Sequence, residues 1–327
     1  MTALNVVDAG PEHAEAVVGV IHKSFGARMV LDPPSTALLE TVDSVAEVLG
    51  GPGGLLVERR DAPVGALLFD ESRPGLLGLR RVSVDPETQS RGIASAMVGV
   101  AEDTAEERGH DGIWLHVRVE LPATMQFWTR RFYYPVAQTG TTIEFGKTLW
   151  LARELHSVDE TQAFAAKLAT LLRAGDVLIL TGGLGAGKTT FTQGLGEALG
   201  VRGPVTSPTF VVARTHPSLV DGPPLVHVDA YRLGDATEID DIDLDASVEE
   251  SVTVVEWGEG MAEQLSDSWL EIHLENRLAR PTDPLGTAVI GSGEETRVIT
   301  VKPYGPRWVG VPLRSTLLPH PGAEIVA

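Results

Sequence analysis

The stretch "LILTGGLGAGKTTF" at Leu178–Phe191 decides the fold of the second half of the chain. An apolar run typical of a buried strand ends in a glycine-rich turn, and a helix-compatible segment follows and stops at Gly200. Within it, "GGLGAGKT" at Gly182–Thr189 fits the pattern G-x-x-x-x-G-K-[ST]. A strand, a glycine turn and a helix in this order predict a Walker A phosphate loop in an α/β sheet.

The residue types of this loop suit a nucleoside triphosphate. Glycines accept positive φ and let backbone N–H groups converge on phosphate oxygens. The helix that begins at Lys188 directs the positive end of its dipole at the same anion. We therefore expect ATP here, with the Lys188 ammonium on the β- and γ-phosphates and the Thr189 hydroxyl as a ligand of Mg²⁺.

Two further apolar strands end in carboxylates. "PLVHVDAYRL" ends its apolar run at Asp229, which is the Walker B arrangement. "VTVVEWGEG" ends at Glu256 and Trp257. A carboxylate at a strand end beside a phosphate loop can position water or bind the metal, so Asp229 and Glu256 are predicted to complete the site.

Residues from about 153 to 312 resemble the TsaE family, small ATPases needed to make threonylcarbamoyladenosine in bacterial tRNA. The resemblance covers this whole half and depends on several motifs in family order. Besides the phosphate loop these are "SVDET" (157–161), "TSPTF" (206–210), "HVDAYRL" (227–233), "VEWGE" (255–259) and "YGPRW" (304–308). One departure is Gly183, because the family often carries an acidic residue there.

The TsaE resemblance implies roles for single residues. Thr161 is expected near the adenine, Ser207 and Thr209 in a nucleotide-sensing loop, and Trp257 beside that loop. His227 lies inside an apolar run and is predicted to be a buried structural histidine. The expected phosphate ligands are Gly185, Ala186, Gly187, Lys188, Thr189 and Thr190, the metal ligands are Thr189, Asp229 and Glu256, and the catalytic residues are Lys188, Asp229 and Glu256.

The resemblance also implies partners. TsaE-type ATPases bind a TsaB–TsaD complex and couple ATP hydrolysis to its cycling. The formal net charge of −19 agrees with this, because a strongly acidic surface repels polyanions. We therefore expect tRNA to be held by partner proteins rather than by this chain.

A second glycine-bearing turn, "VDPETQSRGIASAMV" at Val84–Val98, predicts another anion site. Its centre, Gln89–Ala94, fits Q-x-R-G-x-[GA] between the strand "RRVSV" and a helix closed by Gly109. Small residues let backbone amides approach a pyrophosphate at the start of the helix. Residues 4–148 resemble the GNAT acetyltransferases, whose coenzyme A signature this is. The implied acetyl-CoA ligands are Val82, Val84, Gln89, Arg91, Gly92, Ile93, Ala94 and Ser95.

The catalytic groups usual in GNAT enzymes are missing. Leu121 and Trp128 stand where Asn and Tyr are usual, and an indole N–H is too weak an acid to protonate a thiolate. Tyr133 and Tyr134 lie nearby but are expected to pack, and a lone strand-end Glu120 is expected to be solvated rather than a base. Acetyl transfer and the acceptor therefore stay open.

Length and composition set the remaining limits. The 327 residues, 43% hydrophobic and 22% charged, allow two globular domains. The absence of cysteine excludes disulfides and thiolate zinc sites. The N-terminus does not resemble a signal peptide, and no apolar run approaches the ~20 residues of a membrane span. A cytoplasmic protein is expected.

The predicted class is α/β in both halves. Residues 1–149 are predicted to form a GNAT-type mixed sheet with flanking helices and splayed strands, 150–312 a P-loop NTPase-type sheet, and 313–327 a loosely held tail. Two alternatives stay open. The second half could be a small-molecule kinase, although the acidic "GDATEIDDIDLDASVEES" does not suit a cationic lid, and the first half could bind acetyl-CoA without catalysis. The oligomeric state is not predicted.

Overall fold

The computed structural model describes residues 4–88, 92–208, 211–233, 245–277 and 296–319. The chain divides into two compact units, Met1–Leu149 and Trp150–Ala327. Each unit is built on a seven-stranded mixed sheet with helices, so the predicted α/β class is confirmed for both halves. Among the helices described here, none is long and apolar enough to cross a membrane.

The first unit contains a sheet of strand order β1-β2-β3-β4-β5-β7-β6, in which the central β4–β5 pair is parallel. Its strands are β1 (Asn5–Asp8), β2 (Gly54–Arg59), β3 (Ala62–Arg73), β4 (Leu76–Val84), β5 (Gly112–Arg118), β6 (Tyr134–Thr139) and β7 (Thr142–Thr148). Its helices are α1 (Ala14–Gly26), α2 (Val42–Gly50), α3 (Ile93–Glu107) and α4 (Pro122–Thr129).

Alternating apolar residues of the central strands build a core on each face of this sheet. Leu55 and Val57 of β2 pack with Met97 of α3, whereas Leu56 between them packs with Ile21 of α1. This period of two is what a strand buried on both faces requires. Helix α3 therefore covers one face of the sheet, and α1 covers the other.

The parallel strands β4 and β5 separate along their length. They pair only from Leu76 to Leu79 on β4 and from Gly112 to Leu115 on β5. Beyond that point the register between β4 and β3 shifts, and Arg81 of β4 has a positive φ of 52°. Both features indicate a β-bulge in β4 at Arg81. The predicted splay is present and opens a cleft between the two strands.

The second unit has strand order β10-β11-β12-β9-β13-β14-β8. Its strands are β8 (Leu151–Leu155), β9 (Val177–Thr181), β10 (Ala213–His216), β11 (Leu225–Asp229), β12 (Val252–Glu256), β13 (Trp269–Arg277) and β14 (Thr296–Tyr304). Its helices are α5 (Val158–Ala169), α6 (Lys188–Ala198), α7 (Asp245–Val248) and α8 (Leu313–Leu317). The four strands β11, β12, β9 and β13 are mutually parallel, so their carboxyl ends meet at one edge.

The prediction of a loosely held tail from residue 313 is wrong for residues 313–319. Leu313 and Leu317 of α8 are fully buried in the main core of this unit. Arg314 donates from Nη1 to the carbonyl of Trp150 at 2.6 Å. The two leucines are four residues apart, which places both on one face of the helix. We propose 1–149 and 150–319 as domain bounds; residues 320–327 lie outside the described part.

Candidate functional sites in the two units

The predicted phosphate loop connects β9 to α6, and two of its glycines are required by geometry. Gly182 has φ 134°, and a Cβ there would lie 2.1 Å from the carbonyl oxygen of Leu274 on β13. Gly187 precedes α6 in the left-handed region at φ 103°. The first turn of α6 therefore begins at the loop, where its amides have no intrahelical acceptors and can bind an anion.

Lys188 is held over this loop by backbone carbonyls. Its Nζ donates to the carbonyls of Gly182 at 2.9 Å and Gly183 at 3.0 Å, and lies 3.8 Å from the centroid of the Trp257 ring. Burial lowers the pKa of Lys188, and the nearby carboxylates of Glu256 and Asp229 oppose this shift. A bound phosphate would give the Lys188 ammonium a negatively charged partner in place of two neutral carbonyls. The attraction between opposite charges is stronger where the ammonium is partly shielded from water.

Asp229 and Glu256 end neighbouring parallel strands in register, as their sequence positions predict. Both are buried. The Thr189 hydroxyl donates to Glu256 Oε1 at 3.1 Å, and the Ser207 hydroxyl donates to Asp229 Oδ2 at 2.9 Å. One hydroxyl and two carboxylates at the edge of a phosphate loop form an oxygen donor set that fits Mg²⁺.

The protein alone does not complete a metal site. Across the described ranges, no group of three His, Asp or Glu residues could hold an ion. Mg²⁺ is commonly bound through one or two carboxylates together with substrate phosphates and water. The donor set at Thr189, Asp229 and Glu256 therefore fits an ion that arrives with its nucleotide.

His227 contacts the site, which its sequence position did not reveal. It is buried, as predicted, and its Nε2 lies 2.9 Å from Glu256 Oε1. The same carboxylate oxygen therefore faces both His227 and Thr189, so an ionised Glu256 requires the proton of the imidazole on Nε2. The signal available was spacing: residues two apart on a strand share a face, as His227 and Asp229 do.

Two residues of the β13–β14 pair also reach the loop. Asn276 donates from Nδ2 to the carbonyl of Gly185 at 3.3 Å. The Arg297 Nε is 3.3 Å from the position of a Cβ at Gly187. Asn276 and Arg297 are cross-strand partners. Their place is set by strand register, which no local motif could have shown.

The remaining sequence-predicted nucleotide residues are placed as follows. Thr161 is fully buried on α5, and its hydroxyl donates to the carbonyl of Ser157 at 2.9 Å. Ala186 is buried in the loop, and Thr190 lies half-buried in the first turn of α6. Trp257 stacks at a tilt on Tyr231, with centroids 5.4 Å apart. Thr209 lies outside the described residues.

In the first unit, the splay of β4 and β5 opens a cleft of about 990 Å³. Gly92, at φ 76°, caps the N-terminus of α3 beside it. Arg131, which the sequence did not single out, contacts the Ser95 hydroxyl and stacks 3.8 Å from the Phe127 centroid. Gln89 and Arg91 lie outside the described residues. The predicted acetyl-CoA residues that line the cleft are Val82, Val84, Gly92, Ile93, Ala94 and Ser95.

Tyr133 lies in the core of the first unit rather than on the wall of the cleft. Its side chain is fully buried, its hydroxyl donates to Glu102 at 2.9 Å, and burial raises its pKa well above 10. It packs edge-on against Trp128 at 4.8 Å. Glu120 is held by Arg118 at 2.6 Å, and these hydrogen bonds lower its pKa, so it is a poor base.

His116 on β5 is a cleft residue that the sequence did not single out. It lines the cleft with its side chain half-exposed. Its ring meets Trp114 edge-on at 5.2 Å, and its Nε2 lies 3.6 Å from Glu144 Oε2.

These two sites define two classes. The second unit has the site of a P-loop nucleotide-binding protein, because a glycine loop joins a parallel strand to a helix and faces two strand-end carboxylates. The first unit has a cleft between splayed strands at a glycine-capped helix, which suits acetyl-CoA. Residues 155–282 match the family model described as threonylcarbamoyl adenosine biosynthesis protein TsaE. Residues 30–132 match the model of the acetyltransferase (GNAT) family. Through its second unit the chain belongs to the TsaE family, and its first unit carries a GNAT acetyltransferase domain.

Similar proteins and solved structures include the following. A tRNA threonylcarbamoyladenosine biosynthesis protein TsaE of Streptomyces coelicolor is 57% identical over 143 residues, covering 43% of this chain and 89% of that protein. The crystal structure of YdiB of Bacillus subtilis is 33% identical and covers 49% of this chain and 89% of that one, with a TM-score of 0.37. An N-acetyltransferase of Thermoplasma acidophilum in complex with coenzyme A is 13% identical and covers 45% and 99%, with a TM-score of 0.41.

Proposed function

We propose that the second unit is a Mg²⁺-dependent ATPase that acts in threonylcarbamoyladenosine modification of tRNA, together with a TsaB–TsaD-type complex. The observation that carries the proposal is the contact of Thr189 with Glu256 at 3.1 Å, beside Lys188 and the glycine loop. The similarity to proteins named for this pathway supports the biological role.

Different residues of the chain would bind the phosphates, hold the metal ion and position the attacking water. The amides of the first turn of α6 and the Lys188 ammonium bind and orient the β- and γ-phosphates. Thr189, Asp229 and Glu256 would hold Mg²⁺, which supplies charge neutralisation at the phosphate oxygens. His227 fixes the orientation of Glu256, leaving one carboxylate oxygen to position the attacking water.

The proposal is tested by Thr189→Ala and Glu256→Ala in the full chain. We expect each to lower ATP turnover by about 10²-fold or more and to abolish TsaB–TsaD-dependent modification of tRNA. Glu197→Ala is the matched control, because Glu197 is an exposed carboxylate on the same helix α6. Native turnover and modification in both site variants would refute the assignment.

We propose further that the first unit binds acetyl-CoA and transfers its acetyl group to an amine. The amine nitrogen forms the new bond to the acetyl carbon, and the bond to sulfur breaks. His116 takes the proton released by the amine and can return it to the departing thiolate, so that no tyrosine acid is needed.

The test is His116→Gln. We expect kcat for acetyl transfer to fall about 10²-fold while the affinity for acetyl-CoA, measured by calorimetry, stays native. Acetyl-CoA binding with no transfer to any amine by the native chain would instead favour a module that binds the coenzyme without catalysis.

A further inference from the structure

We propose that the acceptor in the first unit is a small amine that also bears a carboxylate, and that Arg28 binds this carboxylate. The inference rests on the proposed acetyl transfer and names the chemistry of its second substrate. Two observations support it: the basic side chains that line the cleft, and the partners that each of these side chains already has.

The ionisable side chains that line the cleft are all basic, although the chain as a whole is acidic. Among the described residues that line it there is no Asp or Glu, although the chain as a whole carries a net charge of −19. Its ionisable lining residues are His116 and the arginines Arg28, Arg80, Arg81, Arg118 and Arg131. Such a concentration of one sign selects ligands of the opposite sign.

Most of these arginines already have a partner at the rim. Three form ion pairs with carboxylates: Arg81–Glu40 at 2.8 Å, Arg118–Glu120 at 2.6 Å and Arg80–Asp70 at 3.7 Å. A fourth, Arg131, follows α4 and contacts the Ser95 hydroxyl in the first turn of α3, where the phosphates of acetyl-CoA are expected. The acceptor must therefore find its own counter-charge in Arg28.

Arg28 is half-buried and contacts a backbone carbonyl and an aromatic ring. It follows the end of α1, donates from Nη2 to the carbonyl of Val82 at 3.3 Å, and stacks 3.8 Å from the Phe25 centroid. Within the described part of the chain, no carboxylate forms an ion pair with it. Burial lowers the pKa of its guanidinium. A desolvated guanidinium with free donors is stabilised by a carboxylate, whose geometry matches its planar fork.

The direction of approach separates Arg28 from the coenzyme phosphates. Arg28 stacks on Phe25, which packs against the core on the α1 face of the sheet. Arg131 stacks on Phe127, which packs against the core on the α3 face. The volume of about 990 Å³ holds a coenzyme arm and a small second substrate. A carboxylate on Arg28 would lie beside Val82, one of the expected acetyl-CoA ligands, and its amine would face the thioester.

The experiment measures thiol release from acetyl-CoA by the full chain, which has no cysteine to add background. The acceptors are matched sets of free amino acids, their carboxamides and the corresponding decarboxylated amines. We expect kcat/KM to be at least about 10-fold higher for the carboxylate-bearing member of the preferred set. Arg28→Gln should lower that value about 10- to 100-fold and leave the value for the carboxamide unchanged.

Arg60→Gln is the matched control, since Arg60 is exposed and lies outside the cleft lining. Equal or better turnover of the neutral acceptors would overturn the inference. So would an equal loss for all acceptors in Arg28→Gln, or no turnover of any carboxylate-bearing amine while acetyl-CoA binding by calorimetry is intact. Failure to bind acetyl-CoA would refute the proposed function itself.

Discussion

Gly182 shows at the scale of one residue why the phosphate loop needs its particular glycines. A methyl group at Gly182 would lie 2.1 Å from the Leu274 carbonyl oxygen, whereas at Gly183 it would meet no atom within 4 Å. We expect Gly182→Ala to destabilise the chain by about 2 kcal/mol or more and to abolish ATP binding. Gly183→Ala should bind ATP normally. Equal ATP affinities by calorimetry would contradict the loop geometry.

The burial of Tyr133 predicts how the stability of the first unit depends on pH. Below about pH 10 its hydroxyl is protonated in both the folded and the unfolded chain. Above that value the unfolded chain ionises first, because burial raises the folded-state pKa, so stability is lost as the pH rises. Tyr133→Phe loses the hydrogen bond to Glu102, about 1 kcal/mol at neutral pH, but escapes the alkaline loss.

The check is urea denaturation of both chains at pH 8 and at pH 10.5. The free-energy gap between the native chain and Tyr133→Phe should narrow at the higher pH. A gap that stays constant or widens would show that Tyr133 ionises as an exposed tyrosine does.

Local motifs in the sequence indicate candidate site residues, but they do not indicate the contacts between residues that are distant in the chain. Lys188 and Thr189 belong to one short motif, so their neighbourhood is local in the chain. The contacts of Glu256 with His227 and of Asn276 with Gly185 instead join strands that are distant in sequence. Strand register sets those contacts, and a single chain without its fold does not reveal it.

At the scale of elements, the segment after β14 is linked to the start of β9 by a partly buried ion pair. Arg307 donates to both oxygens of Asp176, at 2.9 Å and 3.0 Å, and to the carbonyl of Leu171. We expect Arg307→Ala to cost about 3–5 kcal/mol, because it leaves a buried carboxylate unpaired. Arg307→Lys should recover only part of this lost stability, since an ammonium lacks the planar guanidinium that bonds to both oxygens of Asp176.

Arg173→Ala is the control, because Arg173 is exposed and its backbone N–H, which alanine keeps, donates to Asp176. Free energies of unfolding from denaturant titration decide the matter. A loss in Arg307→Ala no larger than that of the control would contradict a structural role for the pair.

The elements themselves followed closely from sequence where a pattern was periodic. Strands β9, β11 and β12 are continuous apolar runs and were recognised as such. Helix α8 was missed because a five-residue helix offers only one pair of spaced leucines, Leu313 and Leu317, among proline-bounded residues. Its stability comes from burial against the rest of the unit rather than from helix propensity.

At the scale of the whole molecule, each site is built from the residues of one unit. The cleft is lined by residues of the first unit, and the described residues around the phosphate loop belong to the second. We expect Lys188→Ala to bind acetyl-CoA with native affinity, measured by calorimetry. A change of about 5-fold or more, or a dependence of acetyl-CoA affinity on ATP in the native chain, would demonstrate coupling between the sites.

The most direct measurement for the central claim is a crystal structure of the full chain soaked with ATP and Mg²⁺. The account predicts a triphosphate over the amides that begin α6, with the Lys188 ammonium on its β- and γ-phosphates and an ion touching the Thr189 hydroxyl. An empty loop, or a nucleotide bound elsewhere on the chain, would contradict it.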